Sequence, residues 1–211
     1  HNRSQGAVDE LVAEGAVAAL NPPEVAAQVD VVFTNLPDTP DVELVVLGEN
    51  GIIKGAKDGM IFVDNSTIKP GAARAIAAKL AEKSVQSLDA PVSGGDIGAR
   101  DGTLTIMVGG DADALEKIMP IFEAMGKTIT HVGEAGAGQV AKAANQIMVA
   151  AQMTAMGELL VFARKTGADP QKVWEAIKGG AAQCWTLDVK PPRLFEGNRQ
   201  PGFKAYMQAK D

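Results

Sequence analysis

The chain has 211 residues, 46% hydrophobic and 22% charged, which suits one large or two small globular domains. A net charge of −6, the lack of a basic run and an aromatic share of 4% argue against nucleic acid or an anionic membrane surface as partner. One cysteine, Cys184, and two histidines, His1 and His131, leave no intrachain disulfide and speak against a zinc site or a Ser-His-Asp triad, so no metal is expected and a reducing, cytoplasmic setting fits.

In chain order, the first half alternates strands with helices. His1-Asn2-Arg3-Ser4 reads as the end of a strand and a turn, and a short helix is predicted over residues 7–19. Pro22-Pro23-Glu24 opens another helix, since proline suits the first helical turn. The β-branched run 30–35, ended by Leu36-Pro37, is a buried strand feeding a loop, and a helix follows over 40–47. Residues 60–64 form the next buried strand, Ser66-Thr67 the loop after it, and 70–82 a helix. Further strands are predicted over 87–91, 104–108 and 129–132, with a helix over 111–125 capped by Asp111. This alternation implies an α/β fold with a parallel, doubly wound sheet.

From Gly136 the character changes, and no further strand run is predicted. Residues 147–163 are nearly all apolar, which predicts a helix buried on most faces. Gln152, Thr154, Glu158 and the soluble flanks favour a core helix over a membrane span. Asp169-Pro170 starts a helix after a stop at Gly167, Gly179-Gly180 ends it, and Pro191-Pro192 and Pro201-Gly202 punctuate the remainder. The predicted division is a sheet domain over 1–134 and an all-helical domain over 135–211. The opening without methionine and the uncapped stop at Gln208–Asp211 read as a chain cut at both ends.

Ligands of doubly wound sheets bind beyond the carboxyl ends of the strands, which sets Leu36-Pro37, Ser66-Thr67 and 91–95 along one crevice. The helix that begins near Gly136 is placed to close it. On that helix Asn145 and Gln146 follow Lys142 by three and four positions, so the three side chains turn toward one face. A lysine in such apolar surroundings must reach solvent, find partners or lose proton affinity; it is either a snorkelling side chain or a site group. In the loop 89–95, Ser93 and the consecutive glycines Gly94 and Gly95 suit an anion, with converging backbone N–H groups and one hydroxyl; the plain alternative is a turn.

These residues resemble the β-hydroxyacid dehydrogenase family. The likeness lies in Asp89-Ala90-Pro91-Val92-Ser93-Gly94-Gly95 with Gly98-Ala99 and Gly102-Thr103-Leu104, in Gly136-x-Gly138-x-x-x-Lys142-x-x-Asn145, and in Pro201-Gly202-Phe203 leading to Lys210-Asp211. It implies a Rossmann-type domain followed by helices, and NAD(P)-dependent reduction of a small carboxylate-bearing semialdehyde to its hydroxyacid. By the same resemblance Lys142 is the proton donor, and Ser93, Gly94 and Gly95 hold the substrate carboxylate. Asn145 orients the reacting oxygen, with Gln146 where many relatives have a second asparagine. Leu36, Pro37, Thr67 and Lys210 line the cofactor. Asn2, Arg3 and Ser4 match the end of a strand where an arginine accepts the adenosine 2′-phosphate, which favours NADP(H) while leaving NAD(H) open.

The family's first strand, its Gly-x-Gly-x-x-Gly loop and its last helices have no counterpart in the sequence, so it reads as a fragment of a longer enzyme. A tartronate-semialdehyde-type (2-hydroxy-3-oxopropionate) reductase is favoured over a 3-hydroxyisobutyrate dehydrogenase. Lys142 argues against an imine reductase, and the lack of an extra phosphate-binding cluster against a 6-phosphogluconate-type decarboxylase. A homo-oligomer, dimer or tetramer, is expected. The rival of another class is a catalytically silent interaction module, which retention of Lys142 beside Asn145 disfavours.

Overall fold

The computed structural model describes residues 1–200 and 202–211. The chain divides into two compact units, His1–Lys142 and Ala143–Asp211.

The first unit opens with α1 (Gln5–Ala13), α2 (Pro22–Gln28), β1 (Val31–Thr34) and α3 (Thr39–Leu47). It continues with β2 (Ile61–Asp64), α4 (Pro70–Ala81), β3 (Gln86–Asp89), β4 (Val92–Ser93) and α5 (Gly95–Arg100). Then come β5 (Leu104–Gly110), α6 (Ala112–Met125), β6 (Gly126–Gly133) and the start of α7 (Ala137–Lys165). Sequence-local caps place several helices: Asn21 accepts from Glu24 N–H, and Asp111 from Asp113 and Ala114 N–H. The helix predicted over 7–19 stops at Ala13. Gly15 adopts a φ of 99°, and the N–H groups of Gly15 and Ala16 return to the carbonyls of Val12 and Leu11.

The strands order as β1-β2-β3-β5-β4, with β6 beside β5. Side chains alternate across the sheet, so β2 feeds two cores. Met60 and Phe62 join Val42, Val46, Ile76 and Leu80 on one face. Ile61 and Val63 join Leu88, Ile106, Ile118 and Phe122 on the other. Burying each such side chain contributes about 1.5–3 kcal/mol, and the two cores are what a doubly wound sheet requires.

The sheet is mixed, not parallel throughout. β1, β2 and β3 are parallel, β5 runs antiparallel to both β3 and β4, and β6 is parallel to β5. The chain leaving β3 makes the short β4 and the α5 turn and comes straight back, which reverses β5. Residues 1–4 form no strand either: Asn2 Nδ2 donates to Ser4 Oγ at 2.9 Å, and Ser4 leads into α1.

The second unit holds the rest of α7 with α8 (Pro170–Ile177), α9 (Trp185–Phe195) and α10 (Ala205–Lys210). Gly167, at φ 83°, stops α7, and Asp169 caps α8 through the N–H groups of Gln171 and Lys172. Pro191 and Pro192, expected to break structure, lie inside α9. Packing holds that helix together: Thr186, Leu187 and Pro191 are buried, and Trp174 Nε1 donates to Leu187 O at 2.8 Å.

Most faces of α7 are not buried, contrary to the expectation from composition. Ile147, Met148, Val161 and Phe162 are exposed, and Ala163 is its fully packed apolar residue in this unit. A helix of 29 residues is about 43 Å long, and three helices of 8, 11 and 6 residues cannot screen it. By length and composition alone α7 could cross a membrane.

Candidate active site

β1, β2 and β3 each end in a polar residue, and the three stand in one row of the register: Thr34 beside Asp64, Asp64 beside Asp89. Thr34 Oγ1 donates to Asp64 Oδ1 at 2.8 Å, and Ser66 N–H to the same oxygen at 3.1 Å. Asp64 Oδ2 is buried and has no hydrogen-bond partner among the described residues. Burial pushes the Asp64 carboxyl above the ordinary carboxylate range, more than these donors hold it down. Burial also raises Asp89, against the opposing pull of the Gly136 and Gln139 N–H groups and with a further push from the Asp64 charge.

Asp89 holds the amino end of α7. Its Oδ1 accepts from Gly136 N–H at 2.6 Å and its Oδ2 from Gln139 N–H at 2.9 Å. Gly138 of the Gly136-x-Gly138 motif is required by this approach, while Gly136, at φ 87°, packs against Pro70 and Arg74. A Cβ on Gly138 would overlap the carbonyl oxygens of Asp89 and Met107, and one on Gly109 would lie 2.6 Å from Gly138 N and 2.7 Å from Asp89 Oδ1. A strand, then Gly-x-Gly-x-x-Ala, then a helix has the form of a phosphate-binding turn, but here an internal carboxylate fills the helix terminus.

Gln139, 1% exposed, stitches the same turn to the loop after β2. Its Nε2 donates to Ser66 O at 2.8 Å and its Oε1 accepts from Ile68 N–H at 3.0 Å. Ser66 Oγ in turn accepts from Leu36 N–H at 2.8 Å, and Asn65 Nδ2 donates to Ala90 O at 2.6 Å. The loops beyond β1, β2 and β3 and the start of α7 are therefore one hydrogen-bonded assembly. Lys142 follows Gln139 by three positions, on the same side of the helix and about 4.5 Å further along its axis. It is 8% exposed.

The segment read as a glycine loop is a strand stub turning into a helix. Ser93, half-buried, pairs with Thr105 on β5, and Gly94 and Gly95 are exposed at the start of α5 with φ 137° and 66°. Such values favour glycine. Leu36 and Thr67 are half-buried and Pro37 exposed in the loops beyond β1 and β2, at the carboxyl ends of the parallel strands. Asn2, Arg3 and Ser4 are exposed, and Arg3 forms a 3.7 Å ion pair with Asp41 in the first turn of α3.

In the second unit the structure brings Asn145, Gln146, Lys210 and Asp211 together. Asn145 Nδ2 donates to Gln146 Oε1 at 2.9 Å, Gln146 Nε2 to Asp211 Oδ2 at 2.6 Å, and Lys210 Nζ pairs with Asp211 Oδ1 at 2.7 Å. Of the third sequence motif, Pro201 lies outside the described residues. Among the described residues no three His, Cys, Asp or Glu side chains gather as a metal site. Sequence reasoning set Ser66 along the crevice and Asp89 in the loop motif, but gave Asp89, Gln139, Asp64 and Asn65 no role of their own. The available signal was a polar residue closing each apolar strand run.

Comparison with known proteins completes the picture. Residues 1–133 match the family model described as the NAD binding domain of 6-phosphogluconate dehydrogenase. Residues 136–211 match that for NAD-binding of NADP-dependent 3-hydroxyisobutyrate dehydrogenase. The 2-hydroxy-3-oxopropionate reductase of Escherichia coli (strain K12) is 46% identical over 203 residues, 96% of this chain and 70% of that protein. The NAD-dependent L-serine dehydrogenase of Pseudomonas aeruginosa is 41% identical, over 98% of this chain and 72% of its own. The solved structure of Mycobacterium tuberculosis 3-hydroxyisobutyrate dehydrogenase with L-serine superposes with a TM-score of 0.89 at 33% identity, covering 99% of this chain and 73% of that one. The chain belongs to the β-hydroxyacid dehydrogenase family, NAD(P)-dependent oxidoreductases that act on CH–OH groups.

Proposed function

We propose that the protein reduces a small carboxylate-bearing semialdehyde, 2-hydroxy-3-oxopropionate first among them, to its hydroxyacid with NADPH as preferred reductant. The observation that carries this reading is Lys142: a lysine 8% exposed, on a helix whose start is bonded to the end of β3 and to the loop after β2. The 46% identity to a 2-hydroxy-3-oxopropionate reductase supports the substrate. The nicotinamide, when bound, supplies the hydride. Lys142 gives the proton to the carbonyl oxygen and takes it back in the reverse direction. Ser93 Oγ and the Gly94 and Gly95 N–H groups hold the carboxylate, each charge-assisted bond being worth about 1.5–3 kcal/mol. Asn145 and Gln146 orient the reacting oxygen. Leu36, Pro37 and Thr67 border the nicotinamide, Lys210 touches the cofactor, and Arg3, with Asn2 and Ser4, takes the 2′-phosphate.

The reading assigns cofactor binding to residues 1–134 and the helical domain to 135–211, supported by family matches over 1–133 and 136–211. It includes a cytoplasmic homo-oligomer, dimer or tetramer; exposed Ile147, Met148, Val161 and Phe162 on α7 support self-association. A second reading, oxidation of 3-hydroxyisobutyrate or L-serine, is favoured by the 33% identical structure solved with L-serine. Steady-state assay of the intact enzyme separates them, using a panel of acid semialdehydes, their hydroxyacids and neutral analogues lacking the carboxylate. The proposal expects the highest kcat/KM with 2-hydroxy-3-oxopropionate and at least a tenfold loss, about 1.4 kcal/mol, with the neutral analogue. Equal kcat/KM for acid and neutral aldehydes would remove Ser93, Gly94 and Gly95 from the site.

A further inference from the structure

We infer that Asp89 is a positioning residue for the reaction: by capping α7 from the end of β3, its carboxylate fixes where Lys142 is presented. The inference rests on the reading of Lys142 as proton donor. Helices α2, α3, α6 and α8 are capped by the side chain of the residue just before them, Asn21, Asp38, Asp111 and Asp169. α7 is different. Its cap comes from 47 and 50 residues upstream and uses both carboxylate oxygens, at 2.6 and 2.9 Å.

A local cap would satisfy the same N–H groups without burying a carboxylate, and Asp89 is only 6% exposed. What the distant cap adds is a fixed distance between two elements. Two acceptors on one rigid carboxylate define both the axial position and the rotation of the first turn of α7. Gly138 and Gly109, which lack the side chains that would keep the helix away, make that contact possible. Gln139 receives one of the two bonds on its backbone and sends its side chain to Ser66 and Ile68. Lys142 is the next residue on that face. Asp89 is also four residues before Ser93, on the same chain segment. One carboxylate thus sets the lysine helix against the strand that leads into the proposed substrate-carboxylate loop.

A double-mutant cycle on the intact enzyme, with saturating cofactor and the best semialdehyde of the panel, tests this. Asp89→Asn keeps the shape but offers one acceptor where two are used. It is expected to lower kcat ~10–100-fold, with the cofactor dissociation constant unchanged within about twofold and cooperative thermal unfolding retained. In a Lys142→Ala background the same change is expected to cost less than about twofold, because the group it positions is gone. A residue that only supports the fold would lower kcat equally in both backgrounds, and that result, or an unchanged kcat in Asp89→Asn, overturns the inference. Should Asp89→Asn not fold, Asp89→Glu, which keeps the charge but displaces the helix, carries the same cycle. Wild-type turnover in folded Lys142→Ala refutes the donor reading itself and this inference with it, so the two failures are distinguished by the single variant.

Discussion

Gly138→Ala places one methyl group where the start of α7 approaches the strand ends most closely on two sides, against β3 and β5. The added carbon would overlap two backbone oxygens, of Asp89 and Met107, and would lie 2.9 Å from Asp89 Oδ2. Backbone of two strands cannot swing aside as a side-chain end can, so α7 must retreat by about 1 Å to restore an ordinary carbon–oxygen separation of ~3.3 Å. That retreat stretches the Asp89 bonds to Gly136 and Gln139, now 2.6 and 2.9 Å, past useful length. Overpacking costs about 1–3 kcal/mol, and weakening charge-assisted bonds adds to it, so a total of ~2–4 kcal/mol is expected. For a chain of this size that lowers Tm by ~4–16 °C. A ~1 Å displacement of the lysine helix is also expected to reduce kcat ~100-fold. Gly157→Ala, further along α7 with nothing within 4 Å of its added Cβ, is the control. It should leave kcat unchanged and raise stability by about 0.4–1 kcal/mol. Thermal denaturation and steady-state kinetics of the two variants decide the matter. Equal Tm and kcat for Gly138→Ala and wild type would refute the close approach of α7 to the strand ends.

Asp64→Asn is expected to raise Tm by a few degrees at pH 7.5, with the gain shrinking toward pH 5. Because burial raises its carboxyl in the folded state, the native chain holds more protons than the unfolded one between the ordinary carboxyl range and that raised value. Stability is therefore lost as pH rises through that window, and a Tm advantage that grows toward acid would reverse the sign. Arg3→Ala is expected to lower kcat/KM for NADPH by about tenfold or more while leaving NADH unaffected. The exposed Arg3–Asp41 pair itself is worth at most about 1 kcal/mol, so little stability changes with it. A cofactor ratio unmoved by the substitution would take Arg3 out of the site.

The parts of the fold legible in sequence were those that hydrophobic period and caps encode. The runs ending at Asp64 and Val108 are strands buried on both faces, the run ending at Thr34 buries one face and half-buries the other, and the Asp111 and Asp169 caps mark helix starts. Strand direction is invisible to period, so the reversal of β5 after the two-residue β4 was not legible. Nor was α9: two consecutive prolines argue for a break, and only the burial of Thr186, Leu187 and Pro191, with the Trp174 bond to Leu187 O, overrides them. Lys142, Ser93 and Asn145 stood out as polar groups in apolar or glycine-rich surroundings. Asp89 and Gln139 did not, because their work depends on a contact between residues 50 apart.

Lys142→Ala tests the central claim most directly. In the intact enzyme, kcat for the best semialdehyde should fall about 10²–10⁴-fold, while cofactor affinity and cooperative unfolding stay as in wild type. Turnover near the wild-type value in a folded Lys142→Ala protein would contradict the assignment of Lys142 as the proton donor.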